Sequence, residues 1–299
     1  VVNALRAAAR QLEIPLSELL IQTAALAHGT TVGTNTMVQR TGAKVGLITT
    51  KGHADVIHIM RGAAGRVAGV PIEKILHFAE SNKPDPIVPK PLIAEVTERV
   101  DYKGAVIVPL HLAEAEAAIK RLMREGVGAI AICFLWSFKN PAHEQRVKQM
   151  VEEMAPHVFV TCSSDLVPKW GEYERTAAVA INSYIGPAAS RYILSLEQKV
   201  QELGYRRPLL IMQCSGGVMP AEEAARAPLL TLDSGPVGGL IATKYLADAM
   251  GCPNVIATDM GGTSFDVGII HNGLPTSSYV SVVNQYRYFV PRIDIRSVG

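Results

Sequence analysis

The sequence predicts an α/β protein of two domains, and three observations carry that expectation. Amphipathic helical stretches alternate with short β-rich runs, as in "HLAEAEAAIKRLMREG" before "VGAIAICFLW" and "NPAHEQRVKQMVEEM" before "HVFVTCSS". Such alternation implies a parallel or mixed sheet with helices on both faces. The 299-residue length suits two domains. The composition, 48% apolar and 19% charged, is that of an ordinary globular chain.

Taken in order, "VVNALRAAARQL" opens as a helix with Val2, Leu5, Ala9 and Leu12 on one face, and Pro15 breaks it before "LSELL" starts another turn. "TAALAHGTTVGTN" reads as a short buried strand running into a small-residue loop. "TMVQRTG" reads as a short helix stopped by Gly42, "KVGLITT" as a buried strand and "GHADVIHIM" as a helix. From 61 to 92 glycines and prolines make a long irregular excursion. "AEVTERVDYKGAVIVPL" reads as strand, turn and strand. The helix stopped by Gly126, its following strand, and a helix with Asn140 as N-cap and Pro141 at its first position complete the first half.

Beyond it, "EYERTAAVAINSYI" and "PAASRYILSLEQKVQEL" are expected as two helices separated at Gly186-Pro187. "PLLIMQCSGG" restarts a strand, and "SGPVGGLIATKYLADAM" is a helix with a glycine-rich first turn. The domain change is placed near 165, giving domains 1–165 and 166–299.

Charge and cysteines narrow the function classes. A net charge of +2 without a dense Lys/Arg block gives no push toward nucleic acid. No apolar run reaches the roughly 18 residues a spanning helix needs, so no membrane partner is expected. Cys133, Cys162, Cys214 and Cys252 lie far apart with no CxxC pair, which points to a reducing, cytoplasmic setting. There is no initiator Met, and both ends stop inside structural patterns, so the chain is expected to be an internal fragment.

The chemistry concentrates in "VIATDMGGTSFDVGII", residues 255–270. Two short strands flank a tight "MGGTS" turn. Gly261 and Gly262 free backbone N–H groups to face a phosphate oxygen, and Thr263 and Ser264 add hydroxyl donors. Asp259 repels phosphate by itself, so its expected role is to hold Mg²⁺ directly or through water. Asp266 orients a water or steadies the turn. A plain glycine hairpin with capping aspartates is the competing account. Upstream, Ser234 is expected to cap the helix with Pro236 in its first turn, while Gly235, Gly238 and Gly239 permit close approach of another backbone.

A small-residue helix followed by strand, D-x-G-G-T-x-x-D and strand resembles the connecting helix and second phosphate loop of the actin, sugar-kinase and heat-shock-chaperone ATPase superfamily. "HGTTVGTNTMVQRTGAKVGLITTKGHADVIHI", "WSFKNPAHEQRV", "EYERTAAVAINSYIGP", "MQCSGGVM", "SGPVGG", "TDMGGTSFDV" and "PRIDIRSVG" are similar, in order, to the hydantoinase A/5-oxoprolinase family. Within it, "MRG", "NKPDPIVPK" and "VPKWGEYERT" look most like nucleotide-binding subunits of acetone or acetophenone carboxylases.

The resemblance implies a partial ribonuclease-H-like, actin-like ATPase fold. It also implies ATP and Mg²⁺ as cofactors and a hydantoinase B-type partner subunit. The implied activity is ATP-dependent activation of a carbonyl or enol oxygen of a ketone or cyclic amide. In that reading Ser234, Gly235 and Gly238 shape the cofactor cleft. The first phosphate loop of the family is missing from residues 1–254, so the stretch alone is expected to be inactive. A non-catalytic ATPase switch that binds a protein partner is the alternative from another class.

Other residues weigh in less. His28, Thr30, Thr31, Thr34 and Asn35 stand where a strand end presents ligand groups, and substrate or phosphate contact is weighed against capping of the next helix. Glu172, Glu174 and Arg175 read as a solvated, salt-bridged helix start, weighed against a catalytic carboxylate or a domain contact. His53 and His58 have poor metal spacing and read as structural or surface groups. Cys214 lacks a local base and reads as a buried small residue. Arg61, Arg66 and Lys83 read as exposed loop charges.

Overall fold

A computed structural model describes residues 1–77, 82–261 and 265–298. The chain divides into two compact units, each built from separated segments. One comprises Val1–Asn35, Ala188–Ser277 and Arg292–Gly299, and the other Thr36–Pro187 and Ser278–Pro291.

The second of these units holds the parallel sheet that the alternation implied. Its strands lie in the order Ile93–Val96, Val45–Thr50, Ala129–Cys133, Phe159–Cys162, all parallel. Val45–Thr50 and Ala129–Cys133 are buried at every residue. That is why they read as continuous apolar runs: both faces of such a strand are covered. Helices Leu112–Arg124 and Ala142–Met154 supply cover, the first burying Ala115, Ala118, Ile119 and Leu122 along one stripe.

Several local expectations change here. Pro141 sits at the N-cap of Ala142–Met154 instead of its first turn, and the Asn140 side chain accepts from the Ala142 N–H at 3.1 Å. Of "GHADVIHIM" only Val56–Ile59 is helical. Gly186-Pro187 does not end a helix, because Glu172–Glu202 runs through with Pro187 inside it. Gly186 is there for packing: a Cβ would fall 2.3 Å from Phe159 Cε1.

The "GEYERT" start is not solvated either. Glu174 and Arg175 are buried, and Glu174 takes Arg61 at 2.8 Å while Glu172 takes its other amino group at 3.1 Å. Arg61 is therefore not a free loop charge, and Lys83 donates to the His58 carbonyl at 2.7 Å.

The other unit contains a smaller sheet, with Ala27–His28 parallel to Leu210–Met212 and Val218–Pro220 antiparallel to it. The strand expected before "GTTVGTN" is only two residues long and partly exposed. The following helix, Val32–Val38, starts four residues earlier than "TMVQRTG" suggested. Leu20, Ile193, Leu196, Val200, Tyr205, Leu209 and Ile211 form the main apolar core. A satellite core of Val237, Leu240, Ile270 and Ile293 fastens helix Ser234–Ala249 to the hairpin sheet. Among the described residues no helix is long and apolar enough to cross a membrane.

Candidate functional site

Strand Val255–Met260 pairs antiparallel with Phe265–His271, and the register sets Asp259 directly opposite Asp266. Ile295–Val298 and Leu274–Pro275 pair with successive parts of the second strand, and among the described residues Val255–Met260 is paired on one side only. Directly opposed residues share a sheet face with Cβ atoms about 5 Å apart, and like charges there repel. Both aspartates therefore project toward helix Ser234–Ala249.

A cavity of about 330 Å³ opens between that helix and the sheet. Pro236, Gly239 and Thr243 line it from the helix, and Asp259, Asp266 and Gly268 from the hairpin. Asp259 is exposed and Asp266 half-buried. Among the described residues the Asp259 carboxylate makes no hydrogen bond or ion pair. No cluster of three or more His, Cys, Asp or Glu side chains among them could hold a metal by itself. What the site offers is one available carboxylate, a second opposite it, and a small space whose walls mix Thr243 and Thr258 with the apolar Leu240, Ala257 and Ile295.

Of the turn between the strands, Gly261 is described and exposed, while Gly262, Thr263 and Ser264 lie outside the described residues. Ser234, Gly235 and Gly238 do not line the cavity. Asp233, not Ser234, is the N-cap residue, in the left-handed region at φ 58°. Ser234 is the first helical residue and fully buried. Its hydroxyl accepts from the Thr30 N–H at 3.0 Å and donates to the Thr30 carbonyl at 3.1 Å. The close approach expected of the glycines occurs at Gly235, which meets Gly29. A Cβ on Gly29 would stand 3.1 Å from the Ser234 carbonyl oxygen and 3.2 Å from Gly235 Cα.

The small-residue loop is tied by its own chain. Thr30 is buried, and its hydroxyl accepts from the Val32 N–H at 3.2 Å. Asn35 lies on helix Val32–Val38, not in the loop, and donates to the Thr31 hydroxyl at 3.3 Å, an exposed pair. His28 shares a 2.9 Å hydrogen bond with the Tyr192 hydroxyl. Burial lowers the His28 pKa from its ordinary value and raises that of Tyr192, so both stay neutral near pH 7.

The linkage has a definite sign. A histidine whose folded pKa is depressed binds its proton more readily when unfolded, so its contribution is full above about pH 6.5 and is lost as pH falls below that. Thermal unfolding midpoints are expected to drop between pH 7.5 and 5.5, with a shallower drop in His28→Gln.

Asp233 and Arg292 carry no role in the sequence pattern, and Thr34 stands there with the candidate ligand groups of the loop. The Thr34 hydroxyl donates to Asp233 Oδ1 at 3.3 Å and accepts from the Asp233 N–H at 3.2 Å, while Arg292 reaches Oδ2 at 3.4 Å. "LDSGP" could have flagged Asp233 as the residue before a helix start. Its partners are 199 and 59 residues distant, and nothing local announces them. Cys214 is buried, and burial pushes its thiol up to about 11, as expected of an inert packing residue.

Residues 1–155 match the family model for the hydantoinase/oxoprolinase N-terminal region, and residues 175–299 that for hydantoinase/oxoprolinase. The acetophenone carboxylase gamma subunit of Aromatoleum aromaticum is 34% identical over 305 residues, covering 100% of this chain and 41% of the relative. A nucleotide-free structure of acetone carboxylase matches with a TM-score of 0.87 at 30% identity, over 97% of this chain and 41% of that one. The ATP-dependent caprolactamase of Pseudomonas jessenii matches with a TM-score of 0.83 at 33% identity, over 99% and 42%. The fold is thus of the α/β, actin-like ATPase type. The chain spans about two fifths of the length of these relatives.

Proposed function

The chain belongs to the hydantoinase/oxoprolinase family, and from that premise we propose that it carries part of the phosphoryl-transfer site of an ATP-dependent enzyme. The reaction moves phosphate from ATP to the carbonyl or enol oxygen of a small substrate. An amide or enol oxygen is a poor leaving group, and phosphorylation improves it. The reading leans to ketone carboxylation, in line with the acetophenone and acetone carboxylase relatives. Ring opening of a cyclic amide is the second reading, favoured by the likeness to the caprolactamase.

One observation carries the proposal: two carboxylates opposed across a hairpin, facing a cavity beneath a helix of small residues. Left alone, that pair repels. Magnesium suits it, because this ion is held by one or two carboxylates together with phosphate oxygens and seldom by an all-protein cage. When bound, it would supply charge neutralisation for the transferring phosphoryl group. Asp259 is the residue to hold it. Asp266 orients water or shares the ion, and Gly261 offers its N–H to phosphate. The cavity suits a polyphosphate tail, not a whole nucleotide, so the adenosine part rests on other segments. A hydantoinase B-type partner subunit belongs to the proposal, in keeping with a relative that is itself a gamma subunit.

The test is ATP hydrolysis by the complete natural polypeptide with Mg²⁺ and its partner subunit. A ketone with bicarbonate, or a lactam alone, is expected to stimulate turnover at least about tenfold. Stimulation by a protein partner, with no response to either substrate class, would replace this reading with the ATPase switch.

A further inference from the structure

Resting on the phosphoryl-transfer reading, we propose that Ser234 is a positioning residue. It locks the loop Gly29–Thr34 onto the first turn of the cavity helix, so that the exposed Thr31–Asn35 pair meets the organic substrate in fixed register with the aspartates. Three consecutive residues, Asp233, Ser234 and Gly235, fasten both ends of the loop. At one end the fully buried Ser234 hydroxyl spends its proton and a lone pair on the carbonyl and N–H of the same residue, Thr30. Gly29 lies so close to the Ser234 carbonyl and Gly235 Cα that a Cβ would crowd both.

At the other end Thr34 and Asp233 exchange two hydrogen bonds, and Arg292 steadies the far carboxylate oxygen. Asp233 holds a left-handed conformation in doing so, which is tolerated by aspartate but uncommon outside glycine. Between the ties, Thr31 stays exposed and is braced by Asn35. The same helix, one and two turns on, presents Gly239 and Thr243 to the cavity. A single rigid element therefore sets both the loop and the phosphate end, and such positioning governs reactivity because small displacements of reacting groups are costly in rate. A ligand to phosphate would need a free hydroxyl, and that of Ser234 is already committed.

The experiment uses the complete natural polypeptide with Ser234→Ala, Thr34→Val and Thr34→Ser, and acetophenone or caprolactam as the organic probe. Ser234→Ala is expected to speed amide exchange at Thr30 at least about tenfold. It should raise KM for the organic probe about tenfold or more while KM for ATP stays within about twofold. Thr34→Val, which breaks the second tie at a half-buried site, should give the same split, and Thr34→Ser, which keeps the hydroxyl, should restore it. Unchanged exchange at Thr30 overturns the proposal whatever the activity. Equal rises in both KM values overturn it as well, because the tie is then only structural. Should the wild type turn over no ATP with either probe, the function reading falls and takes the positioning role with it; faster exchange then records a bare structural tie.

Discussion

Asp259→Asn is expected to lower Mg²⁺-dependent ATP turnover by at least about 100-fold while leaving the protein as stable as before, or slightly more so. Asparagine keeps the shape of aspartate but not its charge, and puts a neutral amide oxygen where magnesium favours a carboxylate. Asp259 is exposed and sits opposite Asp266 on the same sheet face. Removing one of two opposed like charges relieves repulsion worth about 0.2–1 kcal/mol. A residue whose loss costs activity and not stability is kept for function. Turnover within about threefold of wild type, measured at saturating Mg²⁺, removes Asp259 from the metal role. A fall in the unfolding midpoint would instead mark it as part of the fold.

Arg175→Met is expected to have the largest effect on stability, a loss of about 3–5 kcal/mol. Arg175 is 1% exposed and Glu144 0%. The guanidinium donates to the Phe134 carbonyl at 2.6 Å and to the hydroxyls of Ser137 and Ser163 at 2.5 and 3.0 Å. Glu144 accepts from the N–H groups of Phe134 and Ser164, each at 2.8 Å, and from the same Ser163 hydroxyl at 2.7 Å. Ser163 thus joins the two charges through one oxygen. Methionine fills much of the volume but leaves a buried carboxylate without its compensating cation and several acceptors without donors. Urea denaturation checks the magnitude, and Arg175→Met with Glu144→Gln should recover part of the loss, because the second change removes the stranded charge. A single-variant loss below about 1 kcal/mol means the network is not coupled as described.

Arg175 also shows where local reading stops. "GEYERT" has the look of a solvated helix start because acidic residues crowd a first turn. Its burial follows from Ser163, Ser137 and Phe134, which stand 12, 38 and 41 residues away. Gly186-Pro187 has the look of a break, and the helix passes through it because its buried face and the Phe159 ring against Gly186 outweigh one missing N–H. The loop at 29–35 has the look of a ligand surface, yet most of its polar groups are spent on the chain itself, leaving Thr31 and Asn35 outward.

Features of local origin are legible along the chain. Apolar runs specified the buried strands Val45–Thr50 and Ala129–Cys133, stripes at helical spacing specified Leu112–Arg124, and two glycines between short β runs specified the hairpin. Periodicity and turn chemistry act over a few residues, so they are written in the order of the chain. Folding alone brings Asp259 and Asp266 to one cavity with Gly239 and Thr243, and sets the Ser234 hydroxyl against Thr30, 204 residues away. Those partners are chosen by packing, which brings together groups that no spacing along the chain relates.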